Sequence, residues 1–430
     1  MGARIGVPIV GKPESRSKNK LWSGFEINQM KEVDSRYARL RLALAVLIST
    51  IGSVGMWSVV VALPAVQAEF GAARGGASLP YTLDMLGFGA GGILLGRLWD
   101  RFGIALPLAT GGAALGIGYA LSGMAHTLWQ FAALHGLLIG FGSSAGFGPL
   151  IADISLWFRK RRGLAVSICA CGNYLAGAIW PPVVQHFIQM DGWRATQIGI
   201  GVFCAITLLP LALVMRQKPR AERGDIAERG YGQEQTALDL SRVTLQSLLI
   251  IAGFACCMAM AMPQVHIVAY CGDLGYGPAR GAQMLSLMLG LGMVSRIGSG
   301  WIADRIGGIA TLLLGSALQG LALVLYLLFN GLTSLYIVSG LFGLFQGGIV
   351  PSYAIIVREY FVAAEAGTRI GIVMMATLMG MAVGGWMAGA IFDFTGSYEV
   401  AFANGLVWNL VNGAIVVSLL LRRYRSTAPA

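Results

Sequence analysis

The sequence predicts an all-α membrane protein: twelve transmembrane helices arranged as two similar six-helix bundles. Three observations carry this. Hydrophobic residues make up 56% of the chain and charged residues only 12%, whereas soluble domains carry roughly a quarter charged residues. Twelve apolar runs each approach the roughly 20 helical residues needed to cross a hydrocarbon core of about 30 Å. An octet that follows the second run returns 204 positions later, after the eighth.

The runs lie near 42–66, 79–99, 104–124, 129–156, 163–188 and 196–215, and then near 245–270, 281–303, 308–329, 333–357, 370–392 and 400–421. They are too long and too evenly apolar for the alternating pattern of an outer-membrane barrel. In lipid a backbone polar group finds its partner only within its own helix, so each run is a helix. Residues 1–41 are polar and of mixed charge, without the apolar segment of a cleavable signal peptide, and read as a cytoplasmic tail. The stretch 216–244, rich in Arg, Glu, Gly and Gln and holding Pro219, reads as a cytoplasmic linker between the bundles at 42–215 and 245–421; residues 422–430 form a short tail. Many of the 61 glycines sit inside spans, as at Gly87, Gly89, Gly91, Gly92 and Gly96, where small residues let helices approach closely. Six cysteines (Cys169, Cys171, Cys204, Cys256, Cys257, Cys271) form no CxxC pair and have no histidine at ligand spacing, so they read as packing side chains and no metal is expected.

Basic residues set the orientation. With the N-terminus inside, 27 of the 31 fall on the cytoplasmic side, three on the outer side (Arg74, Arg194, Arg280), and Arg296 lies within a span. That asymmetry places both termini in the cytoplasm. The net charge of +11 is thereby an orientation signal, and no nucleic-acid partner is implied. The expected location is the plasma membrane, the inner membrane in a bacterium.

The repeat reads GRLWDRFG at 96–103 and GWIADRIG at 300–307, and a fainter echo links Trp157-Phe158 and Arg161 to Gly163 with Tyr360-Phe361, Arg369 and Gly371. These octets resemble the signature loop of the major facilitator family, over about residues 42–421. Gly96 and Gly103 permit a close approach and a turn, and Asp100 and Arg101 can pair across a helix seam. The resemblance implies that these groups, with Asp304 and Arg305 in the second copy, latch the outward-facing state. Ile104 and Ala105 stand where the family carries trailing basic residues, which points to a weaker latch. It also implies a substrate path between the halves near the bilayer midplane. No span or loop gathers a nucleophile, a base and an orienting group, so an enzyme is not expected.

Ionisable groups inside a span are expensive and point to function. Arg296 lies eight residues before Asp304, about 12 Å inside the boundary. Its planar fork suits a carboxylate, although a long side chain can also snorkel in a structural role. A narrower resemblance sharpens this: Ser295 to Gly300 with Asp304, the run Trp157 to Ala165, and Pro181-Pro182 look like the monocarboxylate transporter group and its bacterial oxalate-formate relatives. That resemblance implies that Arg296 binds the substrate carboxylate and that His266 contributes to the pocket. Three departures narrow the substrate. Gly292 stands where eukaryotic members carry an Asp, span one has no charge, and 370–392 has no basic residue, which suits a monoanion better than a dianion. Gly146-Phe147-Gly148 before Pro149 leaves a roomier, more apolar cavity.

The remaining candidates each have two readings. Asp84 is a proton-accepting carboxylate or a rim residue, and His266 relays a proton or bonds a helix. Asp153 pairs with nearby loop arginines, His135 and His186 pack as satisfied side chains, and His126 is a surface group. Asn173, Tyr174, Tyr353 and Trp386 lie in spans that mix packing with cavity lining; Tyr353, two residues past Pro351, is the best hydroxyl donor to a pocket. Together these readings describe a secondary active transporter of a small organic monoanion, a monocarboxylate, working with protons or by anion exchange. The expected partners are that anion, the lipid bilayer and protons, with no cofactor, and the chain is expected to act as a monomer. Two other readings remain: an exporter of a lipophilic compound with Arg296 structural, and a transporter-fold sensor.

Overall fold

A computed structural model describes residues 33–159, 161–217 and 240–427. The described residues fold into α-helices and short connections. In chain order the crossings are α1 (Arg36–Phe70), α2 (Arg74–Phe102), α3 (Ala105–Gly123), α4 (Leu128–Trp157), α5 (162–191), α6 (193–214), α7 (Arg242–Asp273), α8 (Pro278–Ile306), α9 (Gly308–Leu328), α10 (Leu332–Tyr360), α11 (Ala363–Thr395) and α12 (Tyr398–Thr427). Ten stretches among the described residues are long and apolar enough to span a bilayer on their own composition. One of them, Arg162–Val214, holds two crossings, α5 and α6, separated at Gly192, whose φ of 81° breaks the helix. Helix α2, which carries Asp84, Arg97 and Arg101, completes the twelve.

Local chemistry sets the ends. Ser35, Thr127 and Ser241 cap α1, α4 and α7, each side chain accepting a hydrogen bond from a backbone N–H of the first turn. The octets end on Gly103 and Gly307, at φ 79° and 84°, a conformation that only glycine adopts freely. Helices α4 and α10 are each interrupted halfway, at Ala145–Phe147 and at Gly347–Gly348. Matching breaks at matching places are the structural form of the sequence repeat.

The edges differ from expectation at both ends of the chain. Helix α1 begins at Arg36 rather than 42, which takes Arg41 into the fold, and α12 runs to Thr427 rather than 421. Most of the expected linker (218–239) and the tail segments 1–32 and 428–430 lie outside the described residues. An even number of crossings leaves Arg36 and Thr427 at the same end, called here the termini end; the opposite one is the far end.

One apolar cluster lies within the first six helices (Ile48, Leu108, Ile139, Leu150, Trp157, Leu208) and another within the last six (Leu249, Ile309, Ile349, Tyr353, Val416). A third crosses between the halves, joining Trp57, Tyr81, Phe88 and Tyr174 to Val265 and Leu289. The halves meet along two seams, α2 against α11 and α5 against α8. Arg41 and Asp153 form a buried pair in the first half. Arg41 Nε and Nη2 donate to the two carboxylate oxygens at 2.8 and 3.0 Å, Nη2 also donates to the Met215 carbonyl, and the guanidinium lies 4.6 Å from the Trp157 ring centroid. Asp153 thus pairs with Arg41 rather than with the loop arginines the sequence suggested, because α1 starts early enough to bring Arg41 inside.

Candidate functional site

The α5–α8 seam is tight from the far end down to Arg296 and open below it. Ser286 Oγ donates to the Ala178 carbonyl, Gly177 packs on Leu289 and Trp57, and Gly292 packs on the Tyr174 ring. Arg296 makes the last contact. Its Nη1 donates to the Ala170 carbonyl of α5 at 3.3 Å, its guanidinium lies 4.5 Å from the Tyr174 ring centroid, and its buried Nε has no partner. No carboxylate stands within ion-pair distance of it among the described residues. Beyond Arg296 the helices part: a side-chain carbon at Gly300 of α8, one turn on from Arg296, or at Gly163 of α5 would meet open space. The α2–α11 seam behaves alike. Gly389 meets Arg74 and Ser78, Gly385 meets Tyr81, Thr82 Oγ1 donates to the Ala382 carbonyl at 2.9 Å, and Gly89 meets Met375, whereas Gly92, Gly96, Gly367 and Gly371 face open space. The halves therefore form a wedge, sealed at the far end and open at the termini end, with Arg296 near its apex.

The seal is polar. Arg74 at the start of α2 reaches Asp273 at the end of α7 with Nη2 at 3.0 and 3.1 Å from its oxygens, and its guanidinium stacks 4.8 Å from the Phe392 ring centroid. The backbone N–H groups of Arg74 and Gly75 both donate to Asp393 of α11, each at 2.7 Å. His266 on α7 lies within this seal. Its Nε2 is 2.8 Å from the Gly385 carbonyl, which can only accept, so Nε2–H is the donor and Nδ1, at 2.9 Å, accepts from the Tyr398 hydroxyl.

The expected site residues scatter. Asn173 and Phe147 stay on the central side. The Asn173 side-chain Nδ2 lies 3.8 Å from Met56 Sδ, the Asn173 backbone carbonyl accepts from Trp57 Nε1 at 3.3 Å, and Phe147 packs 6.0 Å from the Phe88 ring. Three others do not join Arg296. His266 is in the far-end seal, because α7 carries it beside Gly385 and Tyr398. Tyr353 is completely buried inside the second half, where its hydroxyl donates to Asn412 Oδ1 at 2.9 Å, so it supports α10 on α12 and faces no path. Trp386 is 41% exposed on the face of α11 that also exposes Ile372, Met379 and Phe394. Asp84 is completely buried in the first half rather than at a wet rim. His135 is buried with both ring nitrogens unpartnered and His186 is exposed, so neither is a satisfied packing group. His126 is exposed, and all six cysteines are buried free thiols.

The octet residues are disengaged. Asp100, Arg101, Asp304 and Arg305 are exposed and make no ion pair among the described residues; Arg305 lies 3.5 Å from the Trp301 ring centroid instead. Gly96, expected at a close helix approach, has no neighbour in this state. Arg74, Asp273, Asp393 and Tyr398 were missed by sequence reasoning, as were Trp57 and Arg41. Arg74 was legible as one of three basic residues at the far end, and Asp273 and Asp393 as acidic residues closing spans there.

Two lobes of six crossings, joined along two seams and parted below Arg296, define a multi-pass membrane protein. Residues 45–340 and 300–430 match the Major Facilitator Superfamily, and the chain belongs to it. Monocarboxylate transporter 13 of Bos taurus is 28% identical over 328 residues, 75% of each chain. Among solved structures, the nucleoside transporter NupG superposes with a TM-score of 0.68 at 13% identity, over 89% of this chain and 99% of that one. A bacterial homologue of the human lysosomal transporter Spinster, in an inward-facing and occupied conformation, gives a TM-score of 0.65 at 14% identity over 91% and 97%. At those identities the structures speak for the fold alone.

Proposed function

We propose that this chain carries a small organic monoanion, a monocarboxylate, across the membrane by alternating access. The observation that supports it is Arg296: a cation without a carboxylate partner, backed by the Tyr174 ring, at the apex of the open wedge. An unpaired guanidinium in a partly dry seam is costly, and a bound carboxylate supplies the missing charge and two oxygens for its fork. The bovine relative's name, a monocarboxylate transporter, agrees with this chemistry. With both termini in the cytoplasm, the wedge is the inward-facing state. Closing it brings Gly96, Asp100, Arg101, Gly103, Asp304 and Arg305 to the seam as a latch for the outward-facing state.

Uptake of radiolabelled pyruvate and benzoate into proteoliposomes tests the assignment. Arg296→Ala is expected to abolish carboxylate transport, and Arg296→Lys, which keeps the charge but not the fork, to weaken it strongly. Undiminished transport by both variants refutes the role of Arg296 and returns it to a structural one.

A further inference from the structure

A group of polar side chains is sealed inside the first half, away from Arg296. Asp84 on α2 is completely buried and both its carboxylate oxygens lack a hydrogen-bond partner. On α4, Ser143 Oγ and both ring nitrogens of His135 are equally buried and unpartnered. Helix α1 meets them at Gly55, where a side-chain carbon would collide with Ser143 Oγ and lie 3.6 Å from Asp84 Oδ1. Carboxylate and hydroxyl thus border the same glycine. Helix α4 is wound as a π-helix over His135–Gly140, and a side-chain carbon at Gly140 would collide with the Asp84 backbone carbonyl. The wide turn holds α4 against α2 at this residue, and such turns recur at functional sites.

The groups that face Asp84 decide what it can bind. Helix α1 offers no ionisable side chain from Val54 to Gln67, and α11 across the seam offers none from Ile370 to Phe392. Helix α3 brings Tyr119, whose hydroxyl is engaged by Ser58 Oγ at 2.6 Å, and α4 brings His135. Tyr81 stands on α2 itself with its hydroxyl unpartnered, and α7 beyond brings Cys257 and His266. No cation is in this set, so Asp84 is not half of a structural ion pair. The contacts at Gly55 and Gly140 leave no room for a metal ion with its several oxygen ligands. A proton needs no room. An ionised carboxylate sealed here would cost several kcal/mol, whereas the neutral acid carries no charge to strip of water.

We propose that Asp84 is the site of the coupling proton, binding one proton inside the first half while Arg296 binds the anion at the seam. One Oδ takes the proton from water on one side of the membrane and returns it to water on the other, so proton and monoanion cross as an electroneutral pair. This rests on the transport reading above, and its test is built to fail separately.

Purified protein is examined by infrared spectroscopy at neutral pH. The expected result is the carbonyl stretch of a neutral, dry carboxyl group that is lost in Asp84→Asn and displaced in Asp84→Glu. Absence of that band, or its persistence in Asp84→Asn, overturns the site. In proteoliposomes, Asp84→Asn is expected to lose pyruvate accumulation driven by an imposed proton gradient while keeping pyruvate–pyruvate counterflow, which also shows that the variant folds. Undiminished gradient-driven accumulation in Asp84→Asn overturns the coupling role. A wild type that carries neither pyruvate nor benzoate overturns the monocarboxylate reading instead, and the infrared result then decides the proton site by itself.

Discussion

Asp393 on α11 caps a helix that belongs to the other half of the molecule. Helix α2 starts after Ala73, which has no side-chain oxygen to cap it, and its first two backbone N–H groups are satisfied by the two oxygens of Asp393, each at 2.7 Å. Losing a capping side chain costs about 0.5–2 kcal/mol. An exposed carboxylate at the positive end of a helix dipole accounts for about 0.3–1 kcal/mol, and Asp393 is exposed on its outer side. Asp393→Ala therefore removes about 1–2 kcal/mol. The bonds exist only while the far end is sealed, so the whole loss falls on the balance between sealed and open states, a factor of about 5–30. Spin labels at Met124 and Asn330, exposed at the far end of opposite halves, report that balance by double electron–electron resonance. The longer-distance population should rise by that factor in Asp393→Ala and by less in Asp393→Asn, which retains one acceptor. An unchanged distance distribution would refute the argument that the cap is part of the seal.

Two further outcomes follow from burial and space. Arg41→Ala leaves Asp153 as an uncompensated buried charge and should cost about 3–5 kcal/mol, while joint replacement by Met and Leu should recover most of the loss; the thermal midpoint in detergent, compared with Glu69→Ala at the partly exposed Arg194 pair, measures it. Gly96→Leu meets open space in this state and improves helix propensity by about 1 kcal/mol, so the thermal midpoint should hold or rise while transport is lost because the termini end cannot close; active transport by this variant would show that the two faces do not meet.

The fold was legible because its causes are local and repeated. Span length, loop charge and an octet at a fixed offset are all written along the chain, and the solvent inverts none of them. The site was legible only in part, since its members come from helices far apart in sequence. Arg296 stood out because a lone arginine inside a span has few explanations. His266 and Tyr353 looked equally suited to a pocket, but which face a residue presents depends on helix rotation, and spans that are apolar on every side carry no moment to set it. The same blindness hid Asp393, whose role depends on α11 ending beside the start of α2. Arg41 was hidden differently: charge marked it as tail, and only the early start of α1 turned it inward.

The two groups of glycines fit a single account of the cycle. At the far end a side chain at Gly385 or Gly389 would collide with the opposing helix and one at Gly75 would crowd it, so small residues there suit the state in view. A side-chain carbon at Gly92, Gly96 or Gly300 would meet open space, and in this state each weakens its helix without packing in return. They lie on the parted faces of α2 and α8, toward the same end as the disengaged octet charges. Residues that are unfavourable in one state persist when another state needs them, and close helix approach is what a membrane helix gains from glycine. Opening the far end breaks the Arg74–Asp273 pair, the Asp393 cap and the Thr82 bond. In the proposed cycle, closing the termini end would replace them with glycine-mediated contact and octet ion pairs. On the proposed reading the two ends offset one another, and a carboxylate on Arg296 would tip the balance by pairing a guanidinium that has no carboxylate partner among the described residues.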